Sequence, residues 1–427
     1  MKWIVSTEEN RWESCNDFSS QKGDEIVINQ PIGRPLYGFG SCISELGAGP
    51  LLDLPPEERE RAFEALFGES GCKFSFCRLS VGANDFADGW YSCDEEDGDY
   101  NLEKFSIDRD KKKIIPAIKI AMQKSKNLKF FASPWSPPTW VKFPKVYNFG
   151  KFVATDENCE FYAKYFRKFV EEYKKEGITV SQIHFQNELF ADQKFPSCVW
   201  EGEDVVKFLR DYLIDELDGV AEVWYGTING PENYGGNFLN HRHNNYLNLA
   251  MQYDKCRKGI KGASFQWAGK FGIMQAQEDY PDLNFIHSEC ECGDGTNTWQ
   301  YAMYTFEMLR HYFKFGARAC VYWNTALDYT ASSSWGWEQN SLITVKDGKC
   351  IFNPDFYAVK HFAHFVEEGA VMLKTESRFN TNTAVFKNPN GIRVAIIMNP
   401  FNFEKTVSIE GVNYKLKPRS FNSILLD

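Results

Sequence analysis

From Leu36 onward the chain alternates two hydrophobic patterns. Short runs of consecutive apolar residues, rich in Val, Ile and Phe, are separated by longer stretches in which apolar positions recur every three or four residues. The first pattern predicts strands buried on both faces, and the second predicts amphipathic helices packed over them. The strands are expected at Leu36–Ser41, Phe74–Ser80, Leu128–Ser133, Gln182–Asn187, Val223–Gly226, Gly262–Gln266, Asn284–Glu289 and Ala319–Asn324. Among the helices, "PPEERERAFEALFGESG" opens at Pro55-Pro56 and closes at Gly68 or Gly71, as helix punctuation requires. "CEFYAKYFRKFVEEYKKEG" places Phe161, Tyr162, Tyr165, Phe166, Phe169, Val170 and Tyr173 on one face, and Ile114, Ile115, Ile118, Ala121 and Met122 do the same earlier. These stripes are core packing and call for no cofactor.

Eight such strand–helix units predict a (β/α)8 TIM barrel over residues 36–369. A doubly wound sheet is the alternative, but its phosphate signature is missing: after Gly38 and Gly40, the third glycine of G-x-G-x-x-G would fall at Ile43. Past Gly369 the pattern becomes β-rich, with turns at Asn388–Gly391 and Asn399-Pro400. That segment holds too few strands for a sandwich of its own. The first 35 residues, including "DEIVINQPIG", also read as strand and turn. Residues 1–35 and 370–427 are therefore expected to build one small β-sandwich side domain together.

Charge and composition narrow the function. The formal net charge is −10, and no stripe of Lys and Arg offers a phosphate-binding face, which argues against nucleic acid. No run approaches the roughly 18 apolar residues of a membrane span. The opening "MKWIVSTEENRWESC" turns polar after Val5, too early for a secretory signal, so a soluble, cytoplasmic protein is expected. The twelve cysteines are scattered without paired spacing and read as reduced thiols; Cys290 and Cys292 are closest, with no partner pair for zinc. His241 and His243 in "NHRHNN" read as solvated loop residues, and His184 and His287 as satisfied core residues. No metal or other cofactor is expected.

Functional side chains of a TIM barrel gather where its strands end. Those ends offer Arg78, Asp85 shortly after, Trp135, Asn187, Glu188, Gln266, Glu289 and Trp323-Asn324. The stretch "HFQNELF", at His184–Phe190, closes a buried strand with Gln186, Asn187 and Glu188 in succession. A carboxylate there carries a desolvation cost and needs a reason. Glu188 and Glu289, brought together only by the fold and surrounded by tryptophans, suit glycosidic bond cleavage by an acid/base and a nucleophile or base. Each glutamate taken alone is more often a salt-bridge partner or helix cap. Neither a G-x-S-x-G elbow nor an H-E-x-x-H helix is present.

Eight segments in order resemble glycoside hydrolase family 30, the glucosylceramidase-like retaining β-glycosidases. They are "YGFGSCISELGA", "FCRLSVGANDFA", "YNLEKFSIDRDKKKIIPAIKIAMQ", "FFASPWSPPTWVK", "QNE" with "SEC", "YWNTALD" and "FNPDFYAVKHFAHFVEEGA". The resemblance implies Glu188 as general acid/base, Glu289 as nucleophile and Asn187 as the residue that binds the sugar's 2-hydroxyl. It implies that Arg78 favours ionised Glu289, that Asp85 and Trp135 grip the terminal sugar, and that Trp323 walls its pocket. Asn340, in "WEQNSLITV", matches an asparagine of the last active-site loop. Two positions depart from the family. Leu189 stands where proline often follows the acid/base, and Gln266-Trp267-Ala268 replaces "HWY", losing the tyrosine that would bond the nucleophile. Either Gln266 takes over that orientation or a tyrosine arrives from elsewhere. The substrate implied is a small glycoside or oligosaccharide, a terminal β-glucoside first. β-Xylosides and β-1,6-glucans, or binding without catalysis, are the alternatives. The pattern says nothing of oligomeric state.

Overall fold

The computed structural model describes residues 2–230 and 242–426. Eight parallel strands close into a barrel: β1 (Gly38–Cys42), β2 (Phe76–Ser80), β3 (Lys129–Ser133), β4 (Val180–His184), β5 (Glu222–Ile228), β6 (Ile260–Gln266), β7 (Asn284–Glu289) and β8 (Ala317–Asn324). Each pairs with its successor, and β8 returns to β1 with Ala319 opposite Gly38. Phe76, Phe131, Trp224, Ile286, Ala319 and Val321 form an apolar cluster drawn from the strands themselves, with Tyr37 against it. A larger cluster lies between strands and helices. Both faces of each strand are thus buried, which is why the strands read as unbroken apolar runs. Gly40 is required by close approach: a Cβ there would stand 1.8 Å from the Phe76 carbonyl oxygen.

Seven of the eight strand positions follow the sequence reading to within two residues at each end. β4 departs instructively, ending at His184 rather than Asn187. Beyond it the backbone N–H groups turn alternately to both neighbours: Gln186 to Gly226 O (3.2 Å), Asn187 to Pro134 O (2.8 Å) and Glu188 to Thr227 O (3.1 Å). Glu188 has φ +50°, the left-handed region that a glutamate rarely adopts. Regular pairing is given up where three polar side chains in a row must be aimed separately.

The helix Asp156–Lys175 buries the whole predicted aromatic stripe, and Thr155 caps its start by accepting from the Asn158 N–H. His241 lies outside the described residues, and His243 falls within a helix (Arg242–Met251), not a loop. His184 is a satisfied core residue: its ring stacks on Trp224 and Nδ1 lies 2.7 Å from Ser264 Oγ. All twelve cysteines are free and buried.

Both ends of the chain enter one seven-stranded sheet, ordered Glu13–Ser14, Trp3–Ser6, Ser420–Leu425, Arg393–Asn399, Thr383–Lys387, Val371–Glu376, Val27–Ile32. A three-stranded sheet (Val412–Leu416, Lys405–Ile409, Asp24–Glu25) covers one face of it. Alternation explains the composition of these strands. Ala395 and Ile397 join Trp3 and Val5 in the core between the two sheets, while Val394, Ile396 and Met398 join Ile4 in the barrel's core. The joint is pinned by His361 on the helix Pro354–Ala363, whose ring nitrogens lie 2.9 Å from Ser6 Oγ and 2.7 Å from Ser423 Oγ.

Candidate active site

Arg78, buried on β2, organises the C-terminal mouth of the barrel. Its Nη1 donates to Glu289 Oε2 at 2.5 Å, and Nη2 donates to Asn187 Oδ1 at 2.6 Å and to Ser133 Oγ at 2.8 Å. The guanidinium also lies 4.4 Å from the Trp135 ring centroid and 5.6 Å from that of Trp323. Arginine has donors only, so its bond to Asn187 fixes which end of that amide points inward. Thr227 Oγ1 (2.9 Å) and Gln266 Nε2 (2.7 Å) converge on the same oxygen. The Asn187 amide nitrogen is thereby left for a ligand.

Glu289, at the end of β7, is 4% exposed. Its Oε2 accepts from Gln266 Nε2 (3.0 Å) as well as from Arg78. Gln266 thus takes the place of the missing tyrosine, and Tyr312 donates to the Gln266 backbone oxygen from behind. Burial raises the pKa of Glu289, while the Arg78 charge and hydrogen bond pull it down. Glu188 keeps an edge to solvent and is not among the groups that Arg78 touches. Burial first, then the negative charges of Glu289 and Asp85, push it up to about 8. One carboxylate is braced by a cation and the other is left to hold its proton.

Trp135 and Trp323 stack at 5.1 Å with 29° between their planes. Gln339 holds Trp323 by accepting from its indole N–H (2.9 Å) and also accepts from Asn324 Nδ2 (3.0 Å). Asp85 meets the Gln339 side chain, and burial raises its pKa to about 7. Its Oδ1 has no partner among the described residues, an acceptor left over for a hydroxyl. Gln186 donates to Trp135 O (2.8 Å) and accepts from the Trp200 indole (3.2 Å), locking the segment that precedes Glu188.

Arg78, Asn187, Gln266 and Glu289 form one hydrogen-bonded network, with Trp135 and Trp323 over it. Asn340 stands somewhat apart. Its side-chain oxygen accepts from the Asn297 backbone (3.1 Å), and a Cβ on Gly293 (φ +66°) would fall 2.3 Å from its Nδ2. It braces the loop that follows Glu289. Ser133, Thr227, Gln186 and Gln339 escaped the sequence reading as site residues. Ser133 ends a strand and could have been found by that rule. Thr227 lies one residue past the expected end of its strand. Among the described residues no group of three or more His, Cys, Asp and Glu could hold a metal ion, and no helix is long and apolar enough to cross a membrane.

Comparison with known proteins agrees with this architecture. Residues 36–217 match the Glycosyl hydrolase family 30 TIM-barrel domain. The lysosomal acid glucosylceramidase of Mus musculus is 23% identical over 397 residues, spanning 86% of this chain and 75% of that protein. Two solved structures superpose with TM-scores of 0.86 over 99% of this chain and 98% of theirs. They are SrfJ from Salmonella typhimurium, 22% identical, and the endo-β1,6-glucanase BT3312, 21% identical. The domain model covers the first part of the barrel, residues 36–217, and the chain follows the fold of these two structures over nearly its whole length.

Proposed function

We propose that this glycoside hydrolase cleaves terminal β-glucosides with retention of configuration, Glu289 acting as nucleophile and Glu188 as acid/base. The observation that carries the reading is the asymmetry of the pair: Arg78 and Gln266 both donate to Glu289, while Glu188 has a pKa near 8. Both described bonds to Glu289 use Oε2, so Oε1 is the attacking oxygen. It bonds to the anomeric carbon as the bond from that carbon to the leaving oxygen breaks, and Glu188 gives that oxygen its proton. Water then attacks the glycosyl ester, Glu188 takes the water's proton, and Glu289 is released. Asn187 Nδ2 is aimed at the 2-hydroxyl and Asp85 Oδ1 at a further hydroxyl of the same sugar. Trp135 and Trp323 cover its apolar face. This chemistry needs no metal. The names of the mouse glucosylceramidase and of the β1,6-glucanase share a glucosyl unit, which supports glucose in this pocket.

Azide separates the two roles. With an activated aryl β-glucoside, Glu188→Gln should accumulate the glycosyl-enzyme and, given azide, release the β-glucosyl azide. Glu289→Gln should form no intermediate and yield at most the α-azide. Swapped products would mean that the roles are reversed.

A further inference from the structure

Asp85 offers its free oxygen to a sugar hydroxyl from a place without regular structure. It stands past the end of β2, on the irregular loop of residues 81–109. It is 5% exposed, and the negative charge of Glu289 bears on its carboxylate. A buried carboxylate that faces a like charge moves away unless its backbone is held.

The groups that hold it come from separate parts of the barrel mouth. From the loop after β8, Ser334 donates to the Asp85 backbone oxygen through its N–H (2.8 Å) and its Oγ (3.0 Å). From the helix Glu45–Leu52, which follows β1, the Leu46 N–H bonds the Phe86 oxygen (2.9 Å). Glu45 Oε2 accepts from the Asp88 N–H (2.8 Å). Arg109, at the far end of the Asp85 loop, closes the clamp. Its Nε donates to Glu45 Oε1 (3.2 Å) and its Nη2 to Glu45 Oε2 (2.9 Å). Nη2 also reaches the backbone oxygens of Asp88 and of Gly89, the latter at 2.9 Å. The guanidinium lies 4.2 Å from the Tyr91 ring centroid, and the Tyr91 hydroxyl donates to buried Asp110 (2.5 Å).

Glu45 is 6% exposed and uses both oxygens inside the protein. The planar fork of an arginine can meet its carboxylate and the loop carbonyls together, which a lysine cannot do at fixed geometry. We propose that the Glu45–Arg109 ion pair is a positioning device for Asp85: by fixing the backbone of residues 86–89 it holds the Asp85 carboxylate toward the sugar against the repulsion of Glu289. Both residues act through Asp85. The inference rests on the assignment of Asp85 to a hydroxyl of the bound sugar.

A double-mutant cycle tests it, run on whichever aryl β-glycoside the unaltered protein cleaves. Arg109→Gln should lower kcat/KM about tenfold while Asp85 is present, mainly through KM, and less than about twofold in an Asp85→Ala background. Arg109→Lys should recover only part of the loss, because it keeps the charge without the fork. Removing Arg109 alone strands the Glu45 charge. Glu45→Gln/Arg109→Gln, which removes the pair together, is therefore carried through the same cycle as a guard against misfolding, with the same outcome expected. Equal losses with and without Asp85, or no loss in either variant, would overturn the positioning role. An Asp85→Ala variant that keeps its full kcat/KM would overturn the assignment of Asp85 and this role with it. Cleavage of a glycoside other than a glucoside would fail the glucoside reading alone, since the cycle is then read on that substrate. Cleavage of none would overturn the proposed function and the inference together.

Discussion

Gln266 and Glu188 are where single side chains decide the chemistry. A neutral amide that donates to a carboxylate stabilises the charged form, by about 1.5–3 kcal/mol for a bond to an ion. Replacing Gln266 by Leu removes that donor while Arg78 remains. The Glu289 pKa should then rise, so the acidic limb of the kcat/KM profile moves to higher pH, and kcat/KM should fall roughly 10- to 100-fold. A lower rate with an unmoved acidic limb would reduce Gln266 to a packing role. Glu188 governs the other limb. As the proposed acid it would work protonated, so activity should fall as pH rises through about 8. In Glu188→Gln, assayed on an aryl glucoside with a good leaving group, that limb should vanish. The limbs belong to the coupled pair rather than to either glutamate alone. The residues that carry this division were legible because barrel strand ends point to a site. The substitute for the missing tyrosine was not, since only three-dimensional structure places Gln266 Nε2 3.0 Å from Glu289.

At the scale of elements, strands were legible wherever burial on both faces produced an apolar run, as in β3 and β7. The end of β4 was obscured for a physical reason: Gln186 and Asn187 are buried and hydrogen-bonded without continuing the ladder. Sequence periodicity cannot distinguish a strand that goes on from one that breaks into separately tethered residues. Those tethers extend to Lys142, whose ammonium joins the loop after β3 to the loop that carries Glu188 and whose burial pulls its pKa down to about 8. Lys142→Met should leave Tyr147 O, Ser197 O and Ser136 Oγ without their donor. We expect a destabilisation of about 1–3 kcal/mol in urea melts.

For the molecule as a whole, the joint between barrel and side sheets depends on a histidine that stays neutral. His361 is buried between two serine hydroxyls, and burial lowers its pKa to about 3. Its folded pKa lies below the unfolded value near 6.5, so the unfolded chain gains the proton first. The stability it supports is therefore complete above pH 6.5 and is lost progressively as pH falls toward 3, by about 1.4 kcal/mol per unit. His361→Asn should be less stable than the unaltered protein at pH 7. The gap should narrow by roughly 2 kcal/mol by pH 5, measured as unfolding free energy of the full chain, because only the unaltered protein carries this term. A gap constant across that range would mean that His361 is not held neutral. The same sheet sets an order of events during synthesis. Trp3–Ser6 emerges from the ribosome early, yet its neighbour is Ser420–Leu425, with Trp3 opposite Ile424. Until those residues are made, an apolar strand with one unpaired edge is exposed beside a barrel that is already gathering its helices. A nascent chain stalled before residue 420 should therefore bind hold-type chaperones through its first segment and release them only when the late strands arrive.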